Sequence, residues 1–385
     1  MENWRTGGFG LYVHWPFCQA KCPYCDFNSH VSAEVDQDAW ARGFLWNLDR
    51  LAAETGDRVL ETIYFGGGTP SLMDPALVGA ILDKVQRLWR CVNDLEITLE
   101  ANPTSVEAGR FRDYRAAGVN RVSLGVQALD DADLRALGRL HSVDDALRAV
   151  ALAQETFDRV SFDLIYARQN QTEANWEAEL TRALALGTDH LSLYQLTVED
   201  GTAFAARHAA GGLLGLPDED RSVTLFEMTQ ALCEAEGLPG YEVSNHARVG
   251  QESRHNLIYW RGGDYLGVGP GAHGRLSSAD TVWATEEKRM PSEWLGDVSR
   301  ETSPELSRAA LTLQDRSDEI LMMGLRLREG LVLTKVDAMR DQAISATKVS
   351  AMVETGLVTF ESGILRTTAR GRLVLNAVLR ELLID

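Results

Sequence analysis

The sequence lacks several features that would each assign the chain to a particular class of protein. No apolar run approaches the roughly 20 residues that a membrane-spanning helix requires. Basic residues are scarce: 38 Lys and Arg against 56 Asp and Glu give a formal net charge of −18, which opposes non-specific binding to nucleic acid and to anionic lipid. Low-complexity tracts and short repeats are absent, and the first residues, Met-Glu-Asn-Trp-Arg, contain no apolar signal-peptide core.

These absences favour a cytoplasmic protein whose cysteines are reduced and whose partners do not include nucleic acid. They leave transient membrane association and a homodimer open. With 385 residues, the chain is long enough for one large domain and a second, small one.

Cysteine is rare as well, but three of the five cysteines lie in one short segment, Cys18-Gln-Ala-Lys-Cys22-Pro-Tyr-Cys25. This C-x3-C-x2-C spacing follows an apolar run, Phe9–Trp15, that predicts a strand. Three thiolates on one loop can bind three irons of a [4Fe-4S] cluster and leave the fourth iron open. A structural zinc site would need a second pair of ligands, and the sequence has none. A disulfide network is disfavoured because only Cys91 and Cys233 remain.

From residue 9 to about residue 200, strand-like and helix-like segments alternate. The strand-like segments lie near Leu11–Trp15, Glu61–Phe65, Glu96–Leu99, Arg121–Gly125, Arg159–Ile165 and His190–Leu196. Six βα units at this spacing predict an α/β fold with a parallel sheet and crossover helices. Because six falls short of eight, we expect a partial (β/α)6 barrel rather than a closed one. Polar residues and glycines follow the strands, so a site is expected at the carboxyl-terminal mouth of this barrel.

Three parts of the chain are predicted. Residues 1–240 form the barrel with the cysteine loop, residues 241–300 a β-rich extension and connector, and residues 301–385 a small winged-helix-like domain. Within the extension, we expect β-rich structure over Tyr241–Asn245, His255–Trp260 and Tyr265–Val268, and a polar connector over residues 276–305. Within the last domain, we expect helices over Leu306–Arg328, Thr347–Glu354 and Ala369–Leu383, and a hairpin over Leu357–Thr368. A winged helix can bind DNA, but the acidic balance of the chain favours a packing or lid role.

Several longer motifs identify a family. They are Tyr12-Val-His-Trp-Pro-Phe-Cys18, Tyr64-Phe-Gly-Gly-Gly-Thr-Pro-Ser71, Leu99-Glu-Ala-Asn-Pro103, Arg121-Val-Ser-Leu-Gly-Val-Gln127 and the glycine-rich stretch from Gly267 to Gly274. Together with the cysteine triplet, they resemble the radical S-adenosylmethionine (SAM) proteins, and within these the family of oxygen-independent coproporphyrinogen III oxidase and its relatives. The resemblance extends over about the first 275 residues. It implies the partial-barrel fold and a SAM molecule whose amine and carboxylate chelate the open iron.

The same resemblance implies which residues contact the cofactor. The corresponding positions of this chain are Tyr12, Tyr24, Gly67, Gly68, Thr69, Glu100, Gln127, Arg139 and Asp163. The residue types suit that role, because glycines allow the backbone to approach a ligand closely and a carboxylate such as Glu100 suits ribose hydroxyls or an ammonium group. Taken singly, each polar residue is also compatible with a structural hydrogen bond.

Two departures from the oxidase pattern favour another branch of the family, the heme chaperones. The oxidase carries a further cysteine two residues after the third ligand, where this chain has Phe27. The oxidase also has a longer stretch ahead of its cluster, whereas Cys18 here follows only 17 residues. We therefore expect a protein that binds heme and delivers it to heme-requiring apoproteins, respiratory ones among them. The alternative is the oxidative decarboxylation of coproporphyrinogen III, so the sequence leaves open whether the chain is an enzyme.

A candidate heme contact lies in His255-Asn-Leu-Ile-Tyr-Trp260, which resembles the heme-associated motif of the chaperones. Histidine is a common axial ligand of heme iron, and flanking aromatic side chains can cover a flat macrocycle. His255 is therefore the predicted contact, with His246 and His273 as competitors. The alternative is a histidine that is hydrogen-bonded in the protein core.

Overall fold

The computed structural model describes residues 4–32, 34–55, 58–104, 108–278 and 281–383. Its strands, numbered in chain order, are β1 Phe9–Trp15, β2 Phe17–Cys18, β3 His30–Val31, β4 Val59–Gly67, β5 Arg90–Ala101, β6 Arg121–Gln127, β7 Arg159–Tyr166, β8 His190–Gln195, β9 Asn245–Ala247, β10 Asp264–Val268, β11 His273–Ser277, β12 Val282–Glu287, β13 Glu305–Leu311, β14 Leu331–Val332, β15 Val358–Glu361 and β16 Ile364–Thr367. Within the described residues, eleven of these strands form one large sheet, β14 to β16 form a small sheet, and β2 pairs with β3.

The large sheet is ordered β13-β12-β11-β10-β1-β4-β5-β6-β7-β8-β9. Its central strands, from β10 through β1 and β4 to β8, are parallel. Antiparallel strands flank them, with β9 beside β8 and β11 to β13 beyond β10. The sheet is open, because β9 and β13 are its two edges in the described part of the chain. The partial α/β barrel is thus confirmed, and β10 adds a parallel strand that the sequence did not assign to it.

Helices connect and cover these strands. They span Trp4–Gly7, Gln37–Thr55, Pro75–Leu88, Phe111–Ala117, Asp131–Ala136, Val143–Thr156, Glu173–Leu184, Ala203–Ala209, Glu219–Ala235, Arg254–Trp260, Pro291–Ser299, Leu313–Gly324, Leu333–Asp337, Ala346–Glu354, Ala369–Leu373 and Leu375–Leu383, with a short 3-10 helix at Pro70–Leu72. Local caps set several starts: Ser142 and Asp145 form a reciprocal capping box on the helix Val143–Thr156. Across the described ranges, none of the helices is both long enough and apolar enough to span a bilayer.

The two faces of the parallel strands have different chemistry, because successive side chains of a strand point to opposite sides. On β4, Ile63 and Phe65 belong to the hydrophobic core, together with Phe44 and Val78 from the covering helices. The alternate residues of these strands face the inside of the partial barrel. Many of them are buried and polar, namely Thr62, Glu96, Thr98, Arg121, Ser123, Ser161, His190 and Ser192. The barrel interior is therefore lined by hydrogen-bonding groups, which is what a site for a polar ligand requires.

Two segments of the extension differ from the prediction. Tyr241–Asn245, predicted to be β-rich, is strand only at Asn245, where β9 begins, and the residues before it form bends. The segment His255–Trp260, predicted to be β-rich, lies in the helix Arg254–Trp260. Ser253 caps this helix, and the N–H groups of Arg254 and His255 donate to the Glu96 carboxylate at 3.2 and 3.1 Å. The prediction was wrong because an anion that satisfies the first N–H groups of this helix comes from a distant strand, which no local pattern reveals.

Two predictions about the following segment were also wrong. Residues 276–305 are not a simple connector, because they include β12 and the helix Pro291–Ser299. The predicted helix Leu306–Arg328 begins only at Leu313, because the residues before it form β13, which pairs with β12. An edge strand obtains its hydrogen bonds from a partner strand, so its own sequence signal is weak.

The C-terminal unit contains the predicted hairpin, and helices lie within or close to the three segments that were predicted to be helical. The hairpin is formed by β15 and β16, and β14 adds a third strand on the other side of β16. The last predicted helix is divided into Ala369–Leu373 and Leu375–Leu383. The unit has its own hydrophobic cluster, to which Leu321, Met352 and Val378 contribute. Ion pairs between Arg261 and Glu329 at 2.8 Å and between Arg275 and Glu319 at 2.9 Å attach it to the extension.

Candidate functional site

The cysteine loop leaves the sheet at the carboxyl end of β1. Cys18 ends β2, which pairs with β3, and the Cys25 N–H group donates to the Cys22 carbonyl at 3.2 Å to close a turn. All three are free thiols, with Cys18 buried and the other two partly exposed. Burial raises the pKa of the Cys18 and Cys25 thiols. A neighbouring cation such as iron would hold them as thiolates at neutral pH.

Two hydrogen-bond donors point at sulfur atoms of this loop. Thr69 Oγ1 donates to Cys18 Sγ and Arg139 Nη1 donates to Cys22 Sγ, each at 3.4 Å. Among the described residues, no three or more His, Cys, Asp and Glu side chains are placed so that they could hold a single metal ion. A [4Fe-4S] cluster instead takes each thiolate on a different iron, and hydrogen bonds to its sulfurs tune its potential. The donor set of this loop fits such a cluster.

The glycine turn at the end of β4 is packed tightly from two sides. A Cβ atom on Gly68 would lie 2.7 Å from the Phe17 carbonyl oxygen and 3.0 Å from Cys18 Sγ. A Cβ atom on Gly66 would lie 2.8 Å from the Tyr12 ring. Gly67 has a φ of +114°, a conformation that favours glycine, and its N–H group donates to the Glu100 carboxylate. The turn therefore brings the cysteine loop and the inner wall of the barrel together.

Glu100 lies on the inner face of β5 beside this turn. The Tyr64 hydroxyl donates a hydrogen bond to Glu100 Oε1 at 2.7 Å. Burial raises the pKa of Glu100 to about 7 and the charge of Asp163 adds to the rise, while the hydrogen bonds from Tyr64 and Gly67 oppose it. The carboxyl group therefore changes its charge near neutral pH, and a cationic ligand would favour its ionised form.

Asp163 lies two strands away on the same inner face. The Ser123 hydroxyl donates to Asp163 Oδ1 at 3.3 Å. Burial raises the pKa of Asp163 to about 6. Two carboxyl groups with raised pKa values on one wall are typical of a ligand site, and they suit a ligand with positive charge or hydroxyl donors.

Gln127 and Arg139 meet at the mouth of the barrel. Gln127 ends β6 with a φ of +69°, a left-handed conformation that is uncommon outside glycine and that often marks functional sites. Arg139 donates to the Gly125 carbonyl at 2.9 Å and to the Asn102 side chain. A Cβ atom on Gly125 would lie 3.0 Å from Gln127 Nε2 and 3.2 Å from Arg139 Nη2. The glycine thus leaves room for both side chains.

Tyr24 completes this mouth from the cysteine loop. Its hydroxyl lies close enough to Arg139 and Cys22 to interact with both, and its ring packs against Phe204 with the centroids 6.3 Å apart. A small pocket beside Cys22 is lined by Thr69, Asn102, Arg139 and other residues of the mouth. Contacts thus join all nine residues predicted for the SAM pocket into one region, from the cysteine loop to Asp163.

His255 lies elsewhere, at the base of the barrel interior. Its Nδ1 shares a hydrogen bond with Thr62 Oγ1 at 2.7 Å and its Nε2 one with Tyr259 Oη at 2.5 Å. The imidazole is buried, and this burial lowers its pKa to about 3. Its ring stacks on Tyr64 with centroids 5.0 Å apart. In this structure both nitrogens of the predicted heme contact are therefore engaged within the protein.

The two competing histidines have opposite surroundings. His246 lies on β9 and is completely buried. His273 begins β11 and has an exposed side chain, 3.9 Å from the Glu286 carboxylate. Of the three histidines, His273 is the one that an external ligand reaches without rearrangement.

Three residues of the site were missed by sequence reasoning. Tyr64 and Asn102 lie within motifs that identify the family, and alternation along β4 places Tyr64 on the inner face with Gly66, so its position was available from the sequence. Asn28, three residues after Cys25, binds the turn after β10 and has no local signal. Its Nδ2 donates to the carbonyls of Pro270 and Arg289, both at 2.9 Å.

The chain resembles known proteins over almost its whole length. Residues 12–183 match the Radical SAM superfamily, and residues 311–374 match the HemN C-terminal domain. The heme chaperone HemW of Escherichia coli is 36% identical over 374 residues, which are 96% of each chain. The mitochondrial radical S-adenosyl methionine domain-containing protein 1 of Bos taurus is 38% identical over 97% of this chain and 87% of its own.

Among solved structures, the coproporphyrinogen III oxidase HemN of Escherichia coli, a radical SAM enzyme, has a TM-score of 0.81 over 97% of this chain and 89% of its own. The sequence identity is 22%, so this likeness concerns the fold alone. It agrees with the open α/β sheet and the C-terminal unit described above.

Proposed function

The chain belongs to the HemW-like proteins of the radical SAM superfamily, and on this basis we propose that it is a heme chaperone that carries a [4Fe-4S] cluster and SAM. The observation that carries the proposal is its 36% identity with a heme chaperone over 96% of both chains. Phe27 supports the same branch, because it stands where the oxidase has a further cysteine.

The cysteine loop is the proposed cluster site. Cys18, Cys22 and Cys25 would bind three irons, and Thr69 and Arg139 would donate hydrogen bonds to two of the sulfurs. When bound, the cluster supplies an iron with an open coordination position and a redox centre.

SAM is proposed to lie between the glycine turn and the inner wall. Gly67 and Gly68 would let the backbone approach it, and Tyr12, Tyr24, Gln127 and Arg139 would border it. The carboxylates of Glu100 and Asp163 would accept hydrogen bonds from its ribose hydroxyls or its ammonium group. Because both carboxyls have raised pKa values, binding of this cation would release protons near neutral pH.

Two histidines are candidates for the heme contact. His255 is the predicted contact by motif, but coordination through Nε2 requires the Tyr259 hydroxyl to leave it. His273 is the exposed competitor. Heme titrations of His255→Ala and His273→Ala, followed by the Soret band, separate the two. Loss of the shifted Soret band in one variant alone identifies that histidine, and wild-type spectra in both move the contact elsewhere.

The experiment that tests the function compares two activities of one preparation. Protein reconstituted under anaerobic conditions is mixed with heme and then with a hemoprotein from which heme has been removed, and the recovery of that hemoprotein's spectrum is followed. The same preparation is given coproporphyrinogen III, SAM and a reductant. We expect heme transfer and no formation of protoporphyrinogen IX from coproporphyrinogen III. Product formation over multiple turnovers would instead establish the alternative, the oxidative decarboxylase.

Further proposals concern the location, the partners and the domains of the protein. The protein is proposed to act in the cytoplasm, to deliver heme to apoproteins that include respiratory ones, and to associate transiently with membranes or with a second copy of itself. We also propose that the domains of the chain divide at residues 240 and 300. The C-terminal unit is proposed to have a packing or lid role. Co-purification with heme-free acceptor proteins, followed by light scattering of the complexes, tests partners and oligomeric state together.

A further inference from the structure

Tyr64 lies between the base of the barrel and the Glu100 carboxylate. One contact of its ring is with the His255 imidazole, with centroids 5.0 Å apart and planes inclined by 26°. Another is with the Tyr12 ring, 6.2 Å away at the same inclination. Its hydroxyl donates to Glu100 Oε1 at 2.7 Å. Tyr64 thus contacts His255 through its ring, and through its hydroxyl it contacts Glu100, a residue that is proposed to bind SAM.

The position of this ring is closely determined. A Cβ atom on Gly66 would lie 3.1 Å from Tyr64 Cε1, so the turn is packed against the ring edge. His255 is itself held by Thr62 at 2.7 Å and by Tyr259 at 2.5 Å. Tyrosine has only two side-chain torsions, so confinement of its ring also fixes the direction of its hydroxyl. The Tyr64 hydroxyl is therefore presented to Glu100 in advance of any ligand.

Several groups around Glu100 affect the ionisation of its carboxyl group. Asp163 disfavours its ionised form, and Arg121, the Gly67 N–H group and the Tyr64 hydroxyl favour it. Further tyrosines on other elements interact with it electrostatically, namely Tyr12, Tyr194 and Tyr259. Of these groups, Tyr64 gives Glu100 a side-chain hydrogen bond, and a donor to a carboxylate stabilises the charged form directly.

We propose that Tyr64 is a positioning residue whose hydroxyl holds the Glu100 carboxylate and directs it toward the SAM site, and that His255 and Tyr259 support it from the base of the barrel. This inference rests on the SAM site proposed above. It gives the H-N-x-x-Y-W motif a role in the SAM pocket whether or not His255 also contacts heme. In this role His255 acts through its stacking on Tyr64, and its two nitrogens hold the imidazole in place through Thr62 and Tyr259.

The first test needs neither cluster nor SAM. Carbon-13 NMR of protein labelled at glutamate carboxyls follows the titration of Glu100, and Glu100→Gln identifies its signal. The wild-type group should titrate near pH 7. In Tyr64→Phe the pKa should rise, because a hydrogen bond to the ionised form is lost. Tyr241→Phe is the matched control, since its hydroxyl bonds His190 and Ser253 instead.

A second variant keeps the proposal testable if Tyr64→Phe does not fold. His255→Gln leaves the Tyr64 hydroxyl in place but removes the stacked imidazole, so it should raise the Glu100 pKa in the same direction by a smaller amount. An unchanged Glu100 titration in both variants would overturn the proposal. A shift of equal size in Tyr241→Phe would do so as well, because the effect would then be general to the barrel interior.

The second test measures SAM binding to the reconstituted protein by calorimetry across pH 6 to 9. Tyr64→Phe should bind SAM at least about tenfold more weakly at neutral pH, and the pH at which affinity reaches half its maximum should move upward. A loss of affinity without that movement would mean a merely structural role. If Tyr64→Phe shifts the Glu100 titration but the wild-type protein does not bind SAM, the proposed SAM site is rejected. The effect of Tyr64 on Glu100 is then still supported.

Discussion

The side-chain amide of Asn28 packs so closely on Gly271 that a Cβ atom at position 271 would lie 2.6 Å from Asn28 Nδ2. From there, Nδ2 donates to the carbonyls of Pro270 and Arg289. The Asn28 carbonyl in turn accepts a hydrogen bond from His14 Nε2 at 2.9 Å. Asn28 thereby ties the cysteine loop both to the glycine-rich turn after β10 and to β1, so the geometry of the proposed cluster site depends on a residue that is not a ligand.

Replacement of Asn28 by alanine should weaken this connection. Three side-chain hydrogen bonds are lost, those to the carbonyls of Pro270 and Arg289 and the one with His30 Nε2, so the free energy of unfolding should fall by about 2 to 3 kcal/mol. The reconstituted cluster should also decay faster in air, because the loop that holds it is less restrained. Urea denaturation and the decay of visible absorption measure the two effects. Asn93→Ala, at an exposed position of β5, is the control, and equal behaviour of the two variants would contradict the prediction.

Replacement of Cys22 by serine should prevent stable cluster formation, because a thiolate ligand and the Arg139 contact to it are lost together. Iron content and the broad visible absorption after anaerobic reconstitution measure this loss. Cys91→Ser, on β5 and outside the loop, should reconstitute like the wild-type protein. A full complement of iron in a variant without Cys18, Cys22 and Cys25 would show that the cluster lies elsewhere.

Replacement of Thr69 by valine should lower the midpoint potential of the cluster. The hydroxyl donates to Cys18 Sγ at 3.4 Å, and such a bond disperses negative charge that increases on reduction. Thr69→Ser keeps the donor and should retain a potential close to that of the wild-type protein. Potentiometric titration followed by electron paramagnetic resonance compares the three proteins. Identical potentials in the valine and serine variants would exclude an effect of this hydrogen bond.

The His255 imidazole should make the stability of the protein depend on pH. Its pKa of about 3 in the folded chain lies below the value of about 6.5 expected in the unfolded chain. Its contribution to stability is therefore complete above pH 6.5 and is lost as the pH falls toward 3. Between pH 6 and 4, the free energy of unfolding of the wild-type protein should fall by up to about 1.4 kcal/mol per pH unit more than that of His255→Gln.

Urea denaturation at a series of pH values measures these slopes. His208→Gln, at an exposed position of the helix Ala203–Ala209, provides the comparison. The expectation fails if His255→Gln also follows the wild-type slope, since the imidazole would then titrate alike in the folded and unfolded chains.

Much of the fold was predictable because its signals are local. The alternation of apolar and polar residues around Ile63 and Tyr64 specifies both the strand and its two faces, and the cysteine spacing places three sulfurs on one loop whatever the rest of the chain does. The order of β1 and β4 to β8 then follows from the short right-handed connections of a parallel sheet. For these parts, the residues of a segment specify its structure without contacts from distant parts of the chain.

The sequence by itself therefore determined the open α/β barrel, the cysteine loop and the family. Tertiary structure alone decided the surroundings of His255, because the first N–H groups of its helix donate to Glu96 of β5 and the Thr62 side chain of β4 bonds one of its nitrogens. It also decided the ionisation of Glu100, whose raised pKa comes from burial and from Asp163 two strands away. Hydrogen-bond partners, burial and charge are set by neighbours that are distant in sequence, so no local pattern specifies them.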